Sequence, residues 1–205
     1  LTEHIVKHTK IPVTVKTRLG WDHNSIKILE VAERLQDVGC AAISIHGRTR
    51  AQMYKGHADW SYISQVKNNQ RMYIPVFGNG DVNTPERAIQ MRDRYGLDGA
   101  MIGRASIGNP WFFNQVKHYL KTGDKKKEPT IAERAEMAIR HLKMSVEWKG
   151  EVLGVLETRR HYGNYFKGIA NFKDTKSRIL NEKDPETIIK ELEGVKKNFS
   201  EAVLY

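Results

Sequence analysis

Ile74-Pro-Val-Phe-Gly-Asn-Gly-Asp81 is a strand-length apolar run that breaks off into glycine, amide and acid. The same grammar occurs three more times, in Pro12-Val-Thr-Val-Lys-Thr-Arg18, Ala41-Ala-Ile-Ser-Ile-His-Gly-Arg48 and Gly99-Ala-Met-Ile-Gly-Arg104. These runs are rich in β-branched residues, and each is separated from the next by enough chain for a helix. Alternating strand and helix signals predict an α/β fold with a parallel sheet, of the kind that closes as a TIM barrel with its chemistry at the carboxyl ends of the strands. Those ends carry Lys16 and Arg18, His46 and Arg48, Asn79, Gly80 and Asp81, then Gly103 and Arg104. A complete barrel takes about 250 residues. Four βα units followed by purely helical patterning predict the second half of a (β/α)8 barrel and then an all-helical domain. The opening stretch from Thr2 to Lys10 reads as the tail of a helix, so the chain is expected to be the carboxyl-terminal part of a longer protein.

Composition narrows the class. The chain has 205 residues, 40% of them hydrophobic, enough for a substantial core. No apolar run approaches the roughly 20 residues of a membrane span. The single cysteine, Cys40, cannot form an internal disulfide, which points to a reducing, cytoplasmic setting and to a buried structural thiol. Net charge is +10, and residues 1–113 and 114–205 each carry +5 of it. A basic balance spread over the whole chain favours a polyanionic partner through counterion release; a plain solvated surface is the alternative.

Local signals set the boundaries. Residues 28, 31, 32, 35 and 38 form a helical stripe closed by Gly39, and a helix is predicted from near Asp59 after the loop Gln52-Met-Tyr-Lys-Gly-His57. Thr84-Pro85-Glu86 supplies a capping hydroxyl, a first-turn proline and an acid. Asn109-Pro110-Trp111 opens a further helix running to Leu120. The polar stretch 122–129 reads as a linker between a barrel portion at 1–121 and a helical domain at 130–205. Thr130-Ile-Ala-Glu133 is a capping box, and Asp184-Pro185-Glu186 starts a last helix with apolar residues at 188, 192, 195 and 199. The segment 153–170 carries no clear pattern.

The strand ends suggest an anion site. Gly103-Arg104 and Gly78-Asn79-Gly80-Asp81 combine glycines, which let backbone approach a ligand, with amides and a guanidinium. Glycine-rich ends on the last two strands are the usual phosphate site of such barrels, whereas a tight turn is what either motif means alone. Lys16 can stabilise negative charge or form an internal ion pair. Arg18 and Arg48 have planar forks suited to phosphate or a base edge. His46 can be a ligand contact or a structural donor, and Asp81 a ligand contact or a turn cap.

Val15-Lys-Thr-Arg-Leu-Gly-Trp21, Ile45-His-Gly-Arg-Thr-Arg50 with Tyr54, Gly56 and Ala58-Asp59-Trp60, Val76-Phe-Gly-Asn-Gly-Asp81 and Met101-Ile-Gly-Arg-Ala-Ser-Ile-Gly-Asn-Pro-Trp111 together resemble the tRNA-dihydrouridine synthases, most of all their B-type bacterial branch. The resemblance runs in order from about residue 1 to 170. It implies a TIM-barrel flavoprotein that uses FMN, with NADPH as reductant, to saturate the C5–C6 bond of particular uridines in tRNA. It further implies an intact enzyme that is a cytoplasmic monomer. By resemblance, Lys16, His46, Asn79, Gly80, Asp81, Gly103 and Arg104 fall on flavin-binding positions, and Arg18 and Arg48 line the uridine pocket, with Arg50 a further candidate substrate contact. Glu157-Thr-Arg-Arg-His161 with Tyr165-Phe-Lys167-Gly168 resembles the motif of the tRNA-contacting helical domain, which implicates Arg159, Arg160 and Lys167. The tryptophan common before that tyrosine is Asn164 here. The family's proton-donating cysteine lies in the earlier half of the barrel, and Cys40 does not match its motif. These residues alone are therefore expected to be inactive and, with open sheet edges, self-associated.

Two other functions are compatible with parts of the sequence. An FMN barrel oxidoreductase acting on a small molecule explains the glycine ends but not the basic helical tail. An RNA-binding module without flavin explains the tail but not the strand ends.

Overall fold

A computed structural model describes residues Leu1–Phe199. The elements run α1 Thr2–Lys7, β1 Thr14–Arg18, α2 Ile28–Asp37, β2 Ala42–His46, α3 Ser61–Lys67, β3 Val76–Asn79, α4 Pro85–Arg94, β4 Gly99–Met101, α5 Phe112–Thr122, α6 Ile131–Tyr165, α7 Lys173–Asn181 and α8 Pro185–Asn198. The four strands form one parallel sheet in the order β1-β2-β3-β4. The fold is thus α/β, as the alternation of signals requires. No helix among the described residues is long and apolar enough to cross a membrane.

The chain divides into two units, one of Leu1–Ala105 with Phe112–Lys125, the other of Ser106–Trp111 with residues 126 onward. In the first, side chains alternate across the sheet. Ile43, Ile45 and Val76 are fully buried against Ile28 and Ala32 of α2, Ile63 and Val66 of α3, and Ala88 and Met91 of α4. The opposite sheet face carries Lys16, Ser44, Phe77 and Gly99, aligned in register and at most partly buried. Gln36, buried on α2, donates to the Arg71 carbonyl and accepts from the amides of Tyr73 and Ile74, fixing the entry to β3. At the start of α4 the Thr84 hydroxyl accepts from the Arg87 amide with Pro85 in the first turn. The helix after the 50–58 loop begins at Ser61 rather than Asp59, because the Asp59 carboxylate accepts from the amide and hydroxyl of Ser61.

In the second unit the capping box at Thr130 and Glu133 forms in both directions. The apolar run beyond it continues much further than its pattern suggests. Gly150 leaves the helical region at φ 79°, and the chain doubles back, so α6 is a hairpin of two helical arms, 131–149 and 151–165. The arms touch closely: the Ser145 hydroxyl donates to the Gly154 carbonyl, and a Cβ at Gly154 would lie 2.6 Å from Val146 Cα. Ala135, Ala138 and Leu142 of the first arm and Val155 of the second meet Ile188, Leu192 and Val195 of α8 in a dry core. Ser106–Trp111 belongs here because Gly108 lies against the second arm at His161 and Tyr165, with Trp111 edge-on to the Tyr165 ring.

Candidate functional site

Register brings Arg18, His46, Asn79 and Met101 into one row of Cα partners at the carboxyl ends of the four strands. Lys16 sits two residues back on the same face of β1. Its ammonium is held below the usual lysine range by partial desolvation and by Arg18. The Asn79 amide donates to the Met101 carbonyl at 2.8 Å, tying β3 to β4 where the strands end.

Arg48 organises what lies above this row. Its side chain is only 2% exposed and donates through Nε to the Lys55 carbonyl, through Nη1 to His46 Nε2, and through Nη2 to the Gly56 carbonyl and both oxygens of Asp81. Asp81 also accepts from the Ala58 amide at 2.7 Å. Together they hold the 50–58 loop over the strand ends. Asp81 adopts φ 55°, a left-handed conformation that a non-glycine residue keeps only when its surroundings impose it. These donors keep the Asp81 carboxyl below its ordinary range against the opposing effect of burial. A guanidinium always donates, so His46 Nε2 must accept and the ring proton lies on Nδ1. Burial, with Arg18, Lys16 and Arg48 nearby, pushes the His46 pKa down to about 4, so the ring is neutral at neutral pH.

The residues singled out from the sequence therefore divide. Arg48 does not line an open pocket; it is a buried brace, because its fork is consumed by the loop and Asp81. Gly80 is buried, and a Cβ there would fall 2.5 Å from the Ala58 Cβ. Gly78 makes room for the Trp60 ring, 2.1 Å from where its Cβ would be. The glycines at 78 and 80 thus serve packing. Gly103 is different, since a Cβ built there meets nothing within 4 Å. Beside it Arg104 is exposed, reaches Asp81 at 3.3 Å and stands 4.9 Å over the Tyr54 ring. Arg18 donates to the carbonyls of Thr49 and Met53, and its guanidinium is 5.8 Å from the same ring. The exposed Arg50 stands 6.0 Å from the ring of the exposed Trp21. Arg48 and Arg104 converge on the Asp81 carboxylate, while Lys16 and Arg18 stand near His46, which leaves a cationic strand end suited to a phosphorylated ligand.

The dihydrouridine synthase (Dus) family model matches residues 1–202. The chain belongs to the dihydrouridine synthase family. A "probable tRNA-dihydrouridine synthase 1" of Synechocystis sp. is 45% identical over 167 residues, covering 82% of this chain and 46% of the relative. A "probable tRNA-dihydrouridine synthase" of Rickettsia conorii is 39% identical over 89% of the chain and 55% of the relative. The "tRNA-dihydrouridine synthase B" of Pseudomonas putida is 38% identical over 85% of the chain and 51% of the relative. The chain spans about half the length of the curated relatives it matches.

Tyr54 is the residue at the strand ends whose part the sequence did not disclose. It is 57% exposed, flanked by the guanidiniums of Arg18 and Arg104, with His46 6.3 Å away. An exposed tyrosine in a polar loop carries no periodic signal; its place depends on Arg48 folding that loop back. In the second unit, Arg160 and Lys167 are exposed. Arg159 is half-buried and donates to the Glu182 carbonyl at 2.6 Å, so it caps the end of α7 instead of facing solvent.

Proposed function

We propose that this chain forms the carboxyl-terminal half of a flavin-dependent tRNA-dihydrouridine synthase, a half TIM barrel at 1–121 joined through 122–129 to a tRNA-contacting helical domain at 130–205. The carrying observation is the cationic row of Lys16, Arg18 and Arg104 around neutral His46 and Asn79 at the strand ends of a Dus-family sheet. Support for the half barrel comes from four parallel strands in sequential order and from a match to about half of each relative.

The donor set fits FMN. Gly103, with open space above its Cα, and Arg104 suit its phosphate, while Lys16, His46 and Asn79 suit the polar edge of its ring. When bound, FMN, recharged by NADPH, supplies the hydride that saturates the uracil C5–C6 bond. Neutral His46 contributes an Nδ1–H donor and Lys16 a cation where negative charge collects on reduction. Arg48 and Asp81 keep the 50–58 loop in place, which holds Tyr54 between Arg18 and Arg104. A base buried in folded tRNA must leave its stack to reach these groups, at a cost of a few kcal/mol that basic surface contacts offset.

Cys40 does not suit the role of proton donor. It is 3% exposed, lies before β2 at the end of the sheet opposite His46, and burial raises its thiol pKa. In this reading the donor comes from sequence outside these 205 residues, and the enzyme works in the cytoplasm on tRNA.

The test is FMN retention through gel filtration by the full-length protein and its Arg104→Ala variant, alongside dihydrouridine formation on unmodified tRNA. Loss of a charge-assisted phosphate partner worth about 1.5–3 kcal/mol weakens flavin affinity by roughly tenfold or more, which lowers the flavin retained. Unchanged flavin content removes Arg104 from the site, and wild-type protein lacking both flavin and tRNA activity defeats the proposal.

A further inference from the structure

The α6 hairpin sets His141 of its first arm against His161 of its second, with ring centroids 4.6 Å apart at 62°. A cleft lies on either side of this pair. One, of about 330 Å³, is walled by Pro110, Met137, Arg140 and Tyr165; the other, of about 380 Å³, by Trp148, Lys149, Glu157 and Arg160. Both clefts share His141, Met144 and His161, so they form one groove with the histidines as its saddle.

Three features of this groove point to a ligand. Trp148 is 81% and Met144 57% exposed, large apolar surfaces left beside a charged rim instead of in the core. The rim is cationic, because Glu157, the acid that lines it among the described residues, is already paired with Lys149, while Arg140 and Arg160 face solvent. The groove is also too small for a duplex, yet each cleft reaches the size of small-ligand pockets, about 300–1,000 Å³.

We propose that this groove holds one unpaired nucleotide of an RNA strand, its base against Met144, His161 and Trp148 and its phosphate on Arg160. Aromatic and sulfur surfaces take any base face, and guanidiniums take the phosphate; RNA is read in this way where its bases are unstacked. The inference rests on the tRNA reading above and gives it a second contact point, within the helical unit itself.

The saddle makes binding proton-linked. Arg160 Nε donates to His161 Nε2 at 3.3 Å, so that ring is neutral without ligand. His141 Nδ1 lies 3.4 Å from the Tyr165 hydroxyl, whose pKa burial pushes up to about 12, so the phenol stays protonated. Burial and Arg160 hold both imidazoles below their usual value, and His141 adds to this at His161. The charged groups facing the pair are Arg140 and Lys149 on the first arm and Glu157 and Arg160 on the second. From the 106–111 loop come Ser106, Gly108 and Pro110, none of them titratable. A phosphate arriving here favours the imidazolium forms, so the complex takes up protons that the free protein lacks. Affinity therefore rises as pH falls.

The experiment measures binding of an unmodified tRNA transcript and of a short unstructured RNA by fluorescence anisotropy, between about pH 8 and about pH 6. The 205-residue chain is compared with its Trp148→Ala variant and its His141→Gln/His161→Gln double variant. Wild type is expected to bind several-fold tighter at the lower pH, and the double variant to lose most of that gain, its affinity changing little between the two pH values. Trp148→Ala is expected to weaken binding about tenfold at both, as for loss of one stacked base. If the double variant fails to fold, Trp148→Ala, a change at an exposed position, decides alone. Wild-type tRNA binding that neither Trp148→Ala nor the double variant alters overturns the groove and leaves the tRNA reading standing. No tRNA binding at either pH overturns both.

Discussion

Arg48→Met tests whether one buried guanidinium holds the strand-end site together. The substitution keeps length and apolar bulk but removes donors to Lys55, Gly56, His46 and Asp81. Breaking a buried ion pair by deleting one partner costs about 3–5 kcal/mol. Asp81 is 27% exposed and keeps the Ala58 amide and Arg104, and water can reach the exposed Lys55 and Gly56, which sets the expected loss near the low end, about 3 kcal/mol. For a unit of this size that corresponds to a fall of roughly 12 °C in the melting temperature of the sheet-bearing unit. Calorimetry reads the transition, and the rate of tryptic cleavage at Lys55 reads release of the loop. A double-mutant cycle with Asp81→Asn should give a coupling of about 2 kcal/mol, because the two side chains share both carboxylate oxygens. A cost below about 1 kcal/mol with additive single mutants would refute the brace.

Acid should weaken the first unit in a defined window. His46 has a folded pKa of about 4 against 6.5 when unperturbed, so between these values the unfolded chain binds a proton that the folded chain refuses. Stability is therefore full above pH 6.5 and declines toward pH 4; denaturant midpoints across that range should show the slope, and His46→Asn should flatten it. Glycine-to-alanine changes in two helices should have opposite signs. Gly154→Ala places a Cβ 2.6 Å from Val146 Cα and should destabilise the helical unit by about 1–2 kcal/mol, whereas Gly194→Ala in α8, with nothing within 4 Å, should stabilise it by up to about 1 kcal/mol. Urea midpoints of the two variants decide this, and a common sign would count against the close approach of the α6 arms.

The sequence by itself determined the secondary elements of the sheet and the ends of several helices. Strand periodicity, the Thr84-Pro85 start and the Thr130–Glu133 capping box act within a few residues, so their physics is complete locally. The same locality puts Lys16, Arg18, His46, Asn79 and Arg104 at or near strand ends. Tertiary structure decided what those residues touch. Arg48 has the same composition-level signature as Arg104, yet one is buried on Asp81, 33 residues away in sequence, and the other lies open over Tyr54. Tertiary structure also decided why Gly78 and Gly80 carry no side chain, since the Trp60 ring and Ala58 occupy the space a Cβ would take. The hairpin of α6 is not legible in the sequence because residues 153–170 carry no clear pattern, and only the packing of its arms says that the chain turns back at Gly150. Strand ends depend on neighbours in the chain; braces, clefts and aromatic platforms depend on contacts between residues tens of positions apart, which no local pattern encodes.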